Sequence, residues 1–374
     1  MVLAKKARLK IGITAHAGIK PINTLWSNGI GQNIGYLALL LRRLQIVDSV
    51  NIVSCPDGET HTLGTMFGLP VVSMDTAAAT LDIIIELGIR GAQPHHIDTL
   101  RNRGGKIINY VAGNTLVINL EALARDTGNG DWINPKGYDA VWITPQNWHT
   151  NHGYFKLTYS PKTSIAPHIW DPVCLNQAAF DFKHSPFYKT PKEKAWALGC
   201  FEPNINVYKT FHLSLLTAEN AYRQRPDLVG RLLLFGAYKL RETAHLTELF
   251  ASLKLGQDKK VFVENRLLLA EIMGRDINAV VSHQWQNNLN YLYWEVLYLG
   301  WPLIHNSIQF SDVGYYYPEF DPKKGGEIMV DGLENHNEYR VKQADAIRET
   351  LFRYSIENPK VQARYTELIE EAMS

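Results

Sequence analysis

The stretch AVVSHQWQNNLNYLYWEVLYLGWPLIHNS, Ala279 to Ser307, contains one complete structural repeat. An apolar run, Ala279 to Ser282, has the length and composition of a buried strand and delivers a polar loop beginning at His283. An apolar helical stretch follows, with Asn288 as its expected N-cap and Gly300 as its expected stop, and Pro302 to His305 reads as the next strand. Strand, helix and strand in that order predict a parallel βαβ unit, because parallel neighbours need a crossover between them. The helix N-terminus and the strand tips then face one crevice, where backbone amides attract anions and open α/β sheets bind their ligands.

Upstream, the same alternation recurs. Ala195 to Gly199, Leu232 to Gly236 and Val261 to Val263 read as strands, and Asn206 to Arg225, Glu242 to Leu253 and Leu267 to Met273 as helices. Between Tyr159 and Pro191 the chain is rich in proline (Pro161, Pro167, Pro172, Pro186, Pro191), which predicts a domain boundary. Before that boundary, strands are expected at Leu9 to Thr14, Ser49 to Ser54, Leu81 to Leu87, Lys106 to Val111 and Ala140 to Thr144. Unbroken apolar runs such as Ile83-Ile84-Ile85 suit parallel strands covered on both faces. The first strand leads into a glycine loop, Asn28-Gly29-Ile30-Gly31, and then a helix from Gln32 to Leu44. The expected fold is α/β, with two Rossmann-like domains facing a cleft. Residues 1–170 form the first, 171–340 the second, and a charged, helix-prone segment, 341–374, packs across both.

Length and composition agree with this division. The 374 residues exceed what one core usually organises, and 45% apolar with 20% charged residues exclude a disordered or coiled-coil chain. Lys+Arg 38 against Asp+Glu 37 leaves a net charge of +1, so no broad attraction to nucleic acid or anionic lipid is built in. Cys55, Cys174 and Cys200 show no ligand spacing and read as reduced, buried thiols. The basic start is followed by His16 and Lys20, without a long apolar run, and Tyr291 to Ile304 is too short to span a bilayer. The expected compartment is the cytoplasm, with membrane association only through an acceptor.

The segment 279–307 resembles the donor half of GT-B glycosyltransferases, which runs strand, Ser, polar loop, Glu-bearing helix, Gly-x-Pro, strand. Trp294-Glu295-Val296 through Gly300-Trp301-Pro302 is similar to the stretch holding the second acid of that family's E-x7-E motif, while Asn287 stands at the first. Asn28-Gly29-Ile30-Gly31-Gln32 resembles the family's N-terminal glycine loop, and Gly199 through Lys209 the segment whose basic residue binds diphosphate. The His-Gln-Trp and His-Asn-Ser pattern is also similar to an uncharacterised bacterial family of glycosyltransferase-like proteins.

The resemblance implies a glycosyltransferase that moves a sugar from a nucleotide diphosphate sugar to a glycan or lipid-linked glycan acceptor, as in polysaccharide biosynthesis. The nucleotide sugar is a co-substrate and no cofactor is expected. The implied donor-side residues are Gly29, Gly31, Lys209, His283, Gln284, Asn288, Asn290, Glu295, His305 and Asn306. For the base of an inverting transfer, His16 and Glu86 stand at strand ends of the first half. His149 and His152 are further candidates, with an i,i+3 spacing that would also suit a metal. Trp170, Tyr315, Tyr316 and Tyr317 are aromatics available for stacking on sugars. No Asp-x-Asp pair occurs, so a metal-independent reaction is expected, with Lys209, a helix dipole and loop amides neutralising the leaving group. Two other readings stay open: an epimerase or hydrolase of the same fold, and a non-catalytic nucleotide-sugar-binding protein.

Overall fold

The computed structural model describes residues 8–16, 29–55, 62–125, 136–158 and 162–374. The chain divides into two compact units, residues 1–171 with 352–374, and residues 172–351. Among the described residues the first unit holds a seven-stranded, all-parallel sheet in the order β3-β2-β1-β4-β5-β6-β7. Its strands are β1 (Leu9–His16), β2 (Val47–Cys55), β3 (Val71–Val72), β4 (Ile83–Glu86), β5 (Lys106–Val111), β6 (Ala140–Ile143) and β7 (Thr163–Ile165). Ile11, Ile13, Ile83, Ile85 and Ile107 are fully buried, as continuous apolar strands covered on both faces must be. The strand order reverses between β1 and β4, where the connections leave in opposite directions and open a crevice at the carboxyl ends.

The segment expected over 341–374 is divided. Residues 341–351 group with the second unit and residues 352–374 with the first. After the boundary, Asn358 and Pro359 start a new helix, Pro359–Met373, with the Asn358 side chain accepting from the Lys360 amide. That helix buries Tyr365, Leu368 and Ile369. The Tyr365 hydroxyl donates to the Pro167 carbonyl at 2.8 Å and lies 2.9 Å from the Tyr110 hydroxyl, while its ring meets Trp142 edge-on.

The second unit repeats the plan with six parallel strands among the described residues, in the order β10-β9-β8-β11-β12-β13. They are β8 (Trp196–Cys200), β9 (Val229–Phe235), β10 (Val261–Glu264), β11 (Ala279–Ser282), β12 (Leu303–His305) and β13 (Tyr315–Tyr316). Here the order reverses between β8 and β11. On one face, the helices His212–Gln224 and Pro322–Glu334 close over a core of Leu198, Leu215, Val281, Ile304 and Met329. Two glycines allow that approach: a Cβ on Gly326 would lie 2.8 Å from the Ala221 backbone nitrogen, and one on Gly325 2.9 Å from a Thr217 methyl.

Two helix starts in this unit differ from expectation in ways that shape the site. The helix expected from Asn206 begins at His212, because Asn204 takes a left-handed φ of 55° and its side chain accepts from the Phe211 amide at 2.9 Å, which holds 201–211 as a loop. The helix expected from Asn288 is Tyr291–Leu299, and its N-cap is Asn290, whose side chain accepts from the Leu292 amide at 3.2 Å. Gly300 ends it in the left-handed region with φ 81°, and the Trp301 amide returns to the Val296 carbonyl. All three cysteines are free and buried.

Candidate functional site

The chemistry of the second unit gathers at the carboxyl ends of β8 and β11, where its strand order reverses. β8 delivers Glu202, whose side chain is fully buried. One of its oxygens accepts from the Ser282 hydroxyl at 2.6 Å and the other from the Gln284 amide. Gln284 is fixed at every polar atom. Its side-chain oxygen accepts from Asn287 at 2.7 Å, its backbone amide donates to Asn306 Oδ1 at 2.9 Å, and its carbonyl accepts from Asn306 Nδ2 at 2.9 Å. Burial drives the Glu202 carboxyl up to about 7, against the opposing pull of Ser282, Lys209 and Gln284.

Two cations flank this carboxylate. Lys209 lies in the loop after β8 and Arg266 follows β10. Burial lowers the Lys209 ammonium, Glu202 raises it, and Arg266 lowers it further by repulsion. Burial also lowers Arg266. The two cations repel each other and burial disfavours both, so with one carboxylate, Glu202, against two cations the site carries excess positive charge. Gly236, at φ 77°, runs between the Glu202 backbone and Arg266, where a Cβ would stand 3.3 Å from the Glu202 carbonyl and 3.4 Å from the Arg266 stem. Gly236→Ala is therefore expected to cost about 1–2 kcal/mol of unit stability, read from urea unfolding of the second unit, because an L residue resists that φ and crowds Arg266. An unchanged midpoint would show that the turn relaxes freely.

The expected donor residues fall into two groups. His283, Gln284 and Asn306 belong to the network beside Glu202. The Asn306 amide nitrogen, a donor only, lies 3.4 Å from His283 Nε2, so Nε2 accepts and Nδ1 carries the proton toward the Tyr317 hydroxyl at 3.0 Å. Burial holds His283 down to about 4, so the ring is neutral. His305 is fully buried and spent on structure, with Nε2 donating to the Val313 carbonyl and Nδ1 accepting from the Ser307 amide. Asn288 does not cap the helix; its carbonyl accepts from Ser307. Asn290 is the cap, and Glu295 is half-buried on the helix it starts.

In the first unit, Gly29 and Gly31, expected in a loop before a helix from Gln32, stand in the first turn of the helix Gly29–Leu41, and Asn28 lies outside the described residues. His16 ends β1 and is exposed. Glu86 ends β4 but is buried, with one oxygen accepting from the Ala92 amide at 2.8 Å and the other from the Tyr138 hydroxyl at 2.6 Å. Burial raises its pKa, opposed by Tyr138, Ala92, Arg90 and Gly91. Both oxygens are engaged, one of them holding the loop after β4, and service as a base would require one of these bonds to open. His152 stacks on Trp148 at 4.1 Å. Elsewhere Asp75, His95 and His96 bring three metal-capable atoms within 4.8 Å of one another. The Gln93 amide donates to His96 Nδ1 at 3.0 Å, which leaves the proton on Nε2, the atom facing Asp75 at 3.0 Å. That ring is committed to capping its helix.

Glu202, Ser282 and Arg266 are functional candidates that sequence reasoning passed over. Glu202 was visible as a carboxylate directly after a strand, the same signal that singled out Glu86. Of the aromatics available for stacking, Trp170, Tyr315 and Tyr317 are buried and Tyr316 is half-buried.

The architecture matches solved GT-B glycosyltransferases, two Rossmann-like domains in one chain. HepE of Anabaena, in complex with UDP-glucose, superposes with a TM-score of 0.58 at 12% identity over 97% of this chain and 100% of that one. A glycosyltransferase from Rickettsia africae gives 0.57 at 13% identity over 98% and 99%. The α,α-trehalose 6-phosphate synthase of Burkholderia multivorans gives 0.54 at 9% identity over 97% and 100%. No curated protein matches the chain by sequence. The family model described as "Protein of unknown function (DUF2827)" matches residues 11–369, and the chain belongs to that family.

Proposed function

We propose that the protein is a glycosyltransferase that moves a sugar from a nucleoside diphosphate sugar to a hydroxyl acceptor. The observation that carries this reading is the pair of cations, Lys209 and Arg266, at the carboxyl edge of a Rossmann-like sheet beside its strand-order reversal. A diphosphate supplies the negative charge that site lacks, and neutralising it as the glycosidic bond breaks is what a leaving group needs. The side chains alone can perform this neutralisation, so the reading requires no metal. We assign Glu295 to the ribose hydroxyls, by its resemblance to the second acid of E-x7-E, and His16 to the acceptor's proton. The first unit takes the acceptor, a glycan or lipid-linked glycan. Among the described residues no helix is long and apolar enough to cross a membrane.

UDP-glucose, the ligand of HepE, is the first donor to test. Calorimetric titration with UDP-glucose is expected to show saturable binding, and a panel of nucleoside diphosphate sugars none of which binds would end the reading. Glu295→Ala is expected to weaken binding about tenfold, the scale of a lost charge-assisted hydrogen bond, with the melting temperature held. Equal affinity would remove Glu295 from the site. One observation favours the second reading, a binding protein or hydrolase. At the position of the first acid stands Asn287, and its amide is committed to Gln284. Nucleotide release measured with and without added glycan separates these: release that depends on the acceptor supports transfer, and release that ignores it supports hydrolysis.

A further inference from the structure

Most large apolar side chains near the proposed donor site are buried, yet Trp285 is 41% exposed and Phe320 51%. Trp285 stands in the loop after β11 and Phe320 in the loop after β13, so both lie on the carboxyl edge of the same sheet. Their rings are 6.4 Å apart in an edge-to-face arrangement, and the Phe320 ring lies 4.7 Å from His283.

The loops that carry them are held rigidly. Asn306 joins the two, with its amide nitrogen donating to the carbonyls of Gln284 and Glu319, the residues immediately before Trp285 and Phe320. The Trp285 amide donates to the Tyr208 carbonyl, one residue from Lys209. Each aromatic also has a non-glycine neighbour in the left-handed region, Gln286 at φ 52° and Glu319 at φ 46°. Strain of this kind persists where surrounding contacts over-determine the backbone, and it concentrates at ligand sites. The backbone that carries the two exposed rings is thus held by a buried polar network.

We propose that Trp285 and Phe320 form an aromatic platform that receives the C–H face of a saccharide ring. The proposal rests on the donor-site reading and adds the surface on which a sugar lies. A pyranose has an apolar face and a hydroxyl rim, and the two exposed rings offer an apolar surface beside the His283 and Asn306 network. The cations of the site follow β8 and β10, on the other side of the strand-order reversal, so a phosphate has a separate place to bind.

The ring has two possible sources, the donor sugar and the acceptor glycan, and saturation-transfer difference spectroscopy on the full chain distinguishes them. The probes are UDP, UDP-glucose, and methyl glycosides of glucose, galactose and mannose added with UDP. Wild type is expected to saturate sugar ring protons, and Trp285→Ala to reduce that saturation about fivefold while the uracil protons keep theirs. Phe320→Ala gives a smaller loss, and Trp285→Phe recovers most of the signal; circular dichroism checks that each variant is folded. A loss with UDP-glucose assigns the platform to the donor ring, and a loss with the methyl glycosides assigns it to the acceptor. Sugar saturation that survives Trp285→Ala, or no sugar saturation in wild type, overturns the proposal. A loss confined to uracil protons also overturns it, since the platform would then stack the base. Failure of wild type to bind UDP ends the donor-site reading instead, and the glycoside arm still tests the platform.

Discussion

Glu202→Gln is expected to make the second unit more stable than wild type at pH 8, and Glu202→Ala to make it less stable at every pH. The sign follows from proton linkage. The folded carboxyl titrates at about 7, against 4.5 for an ordinary glutamate. Its neutral form therefore suits the fold: the contribution is fully present below pH 4.5 and is lost as pH rises through 7. The loss amounts to about 3 kcal/mol. Glutamine keeps the shape and stays neutral, donating to Ser282 and accepting from Gln284, so it removes the loss. Alanine strands both buried partners, at about 1–3 kcal/mol each. His283, His305 and His336 act in the opposite sense, because burial holds each near 4 and folding excludes their protons between about 4 and 6.5. The informative quantity is thus the difference between wild type and Glu202→Gln, measured by urea unfolding of the second unit from pH 5 to pH 8. A constant difference across that range would show that Glu202 does not titrate there.

The same carboxylate shows how far the sequence could be read. Strand positions are local, so the apolar runs of β1, β4, β5, β8 and β11 could be located from composition alone, as could the stop at Gly300. The two-residue strands β3 and β13 could not, because a pair such as Tyr315-Tyr316 carries no periodicity and looks instead like a pair of stacking aromatics. Three asparagines within Asn287-Asn288-Leu289-Asn290 compete as helix caps, and composition does not separate them. Only the fold shows Asn287 bound to Gln284, Asn288 held by Ser307 and Asn290 at the helix. Glu202 acquires its role from Ser282 and Gln284, 80 and 82 residues away, and no local pattern encodes a pairing across that distance. Arg266 was hidden for the same reason, since it follows a short strand in a loop without motif. Its meaning depends on Lys209, which the sheet order brings near.

That pairing of cations sets the second large expectation. Lys209→Met and Arg266→Met are each expected to lower UDP-glucose affinity about tenfold to a hundredfold, since hydrogen bonds to charged groups are worth about 1.5–3 kcal/mol. Uridine, which lacks the diphosphate, should bind both variants as it binds wild type. A structural role would have the opposite signature. Were the two side chains holding the fold, their loss would lower the melting temperature and leave affinity alone. In the folded chain, however, Arg266 depresses the Lys209 ammonium by repulsion, and burial disfavours both charges. Arg266→Met is therefore expected to keep or raise the melting temperature while binding falls. Lys209→Met removes an attraction to Glu202 as well, so its melting temperature should change little and the Glu202 carboxyl should rise further. Salt supplies an independent check: affinity for UDP-glucose should fall with ionic strength in wild type and less steeply in either variant. Loss of stability without loss of affinity in Arg266→Met would remove the diphosphate from this site. A stable variant that no longer distinguishes UDP-glucose from uridine would mean that the unit carries two desolvated cations against one carboxylate because an anion binds there during its work.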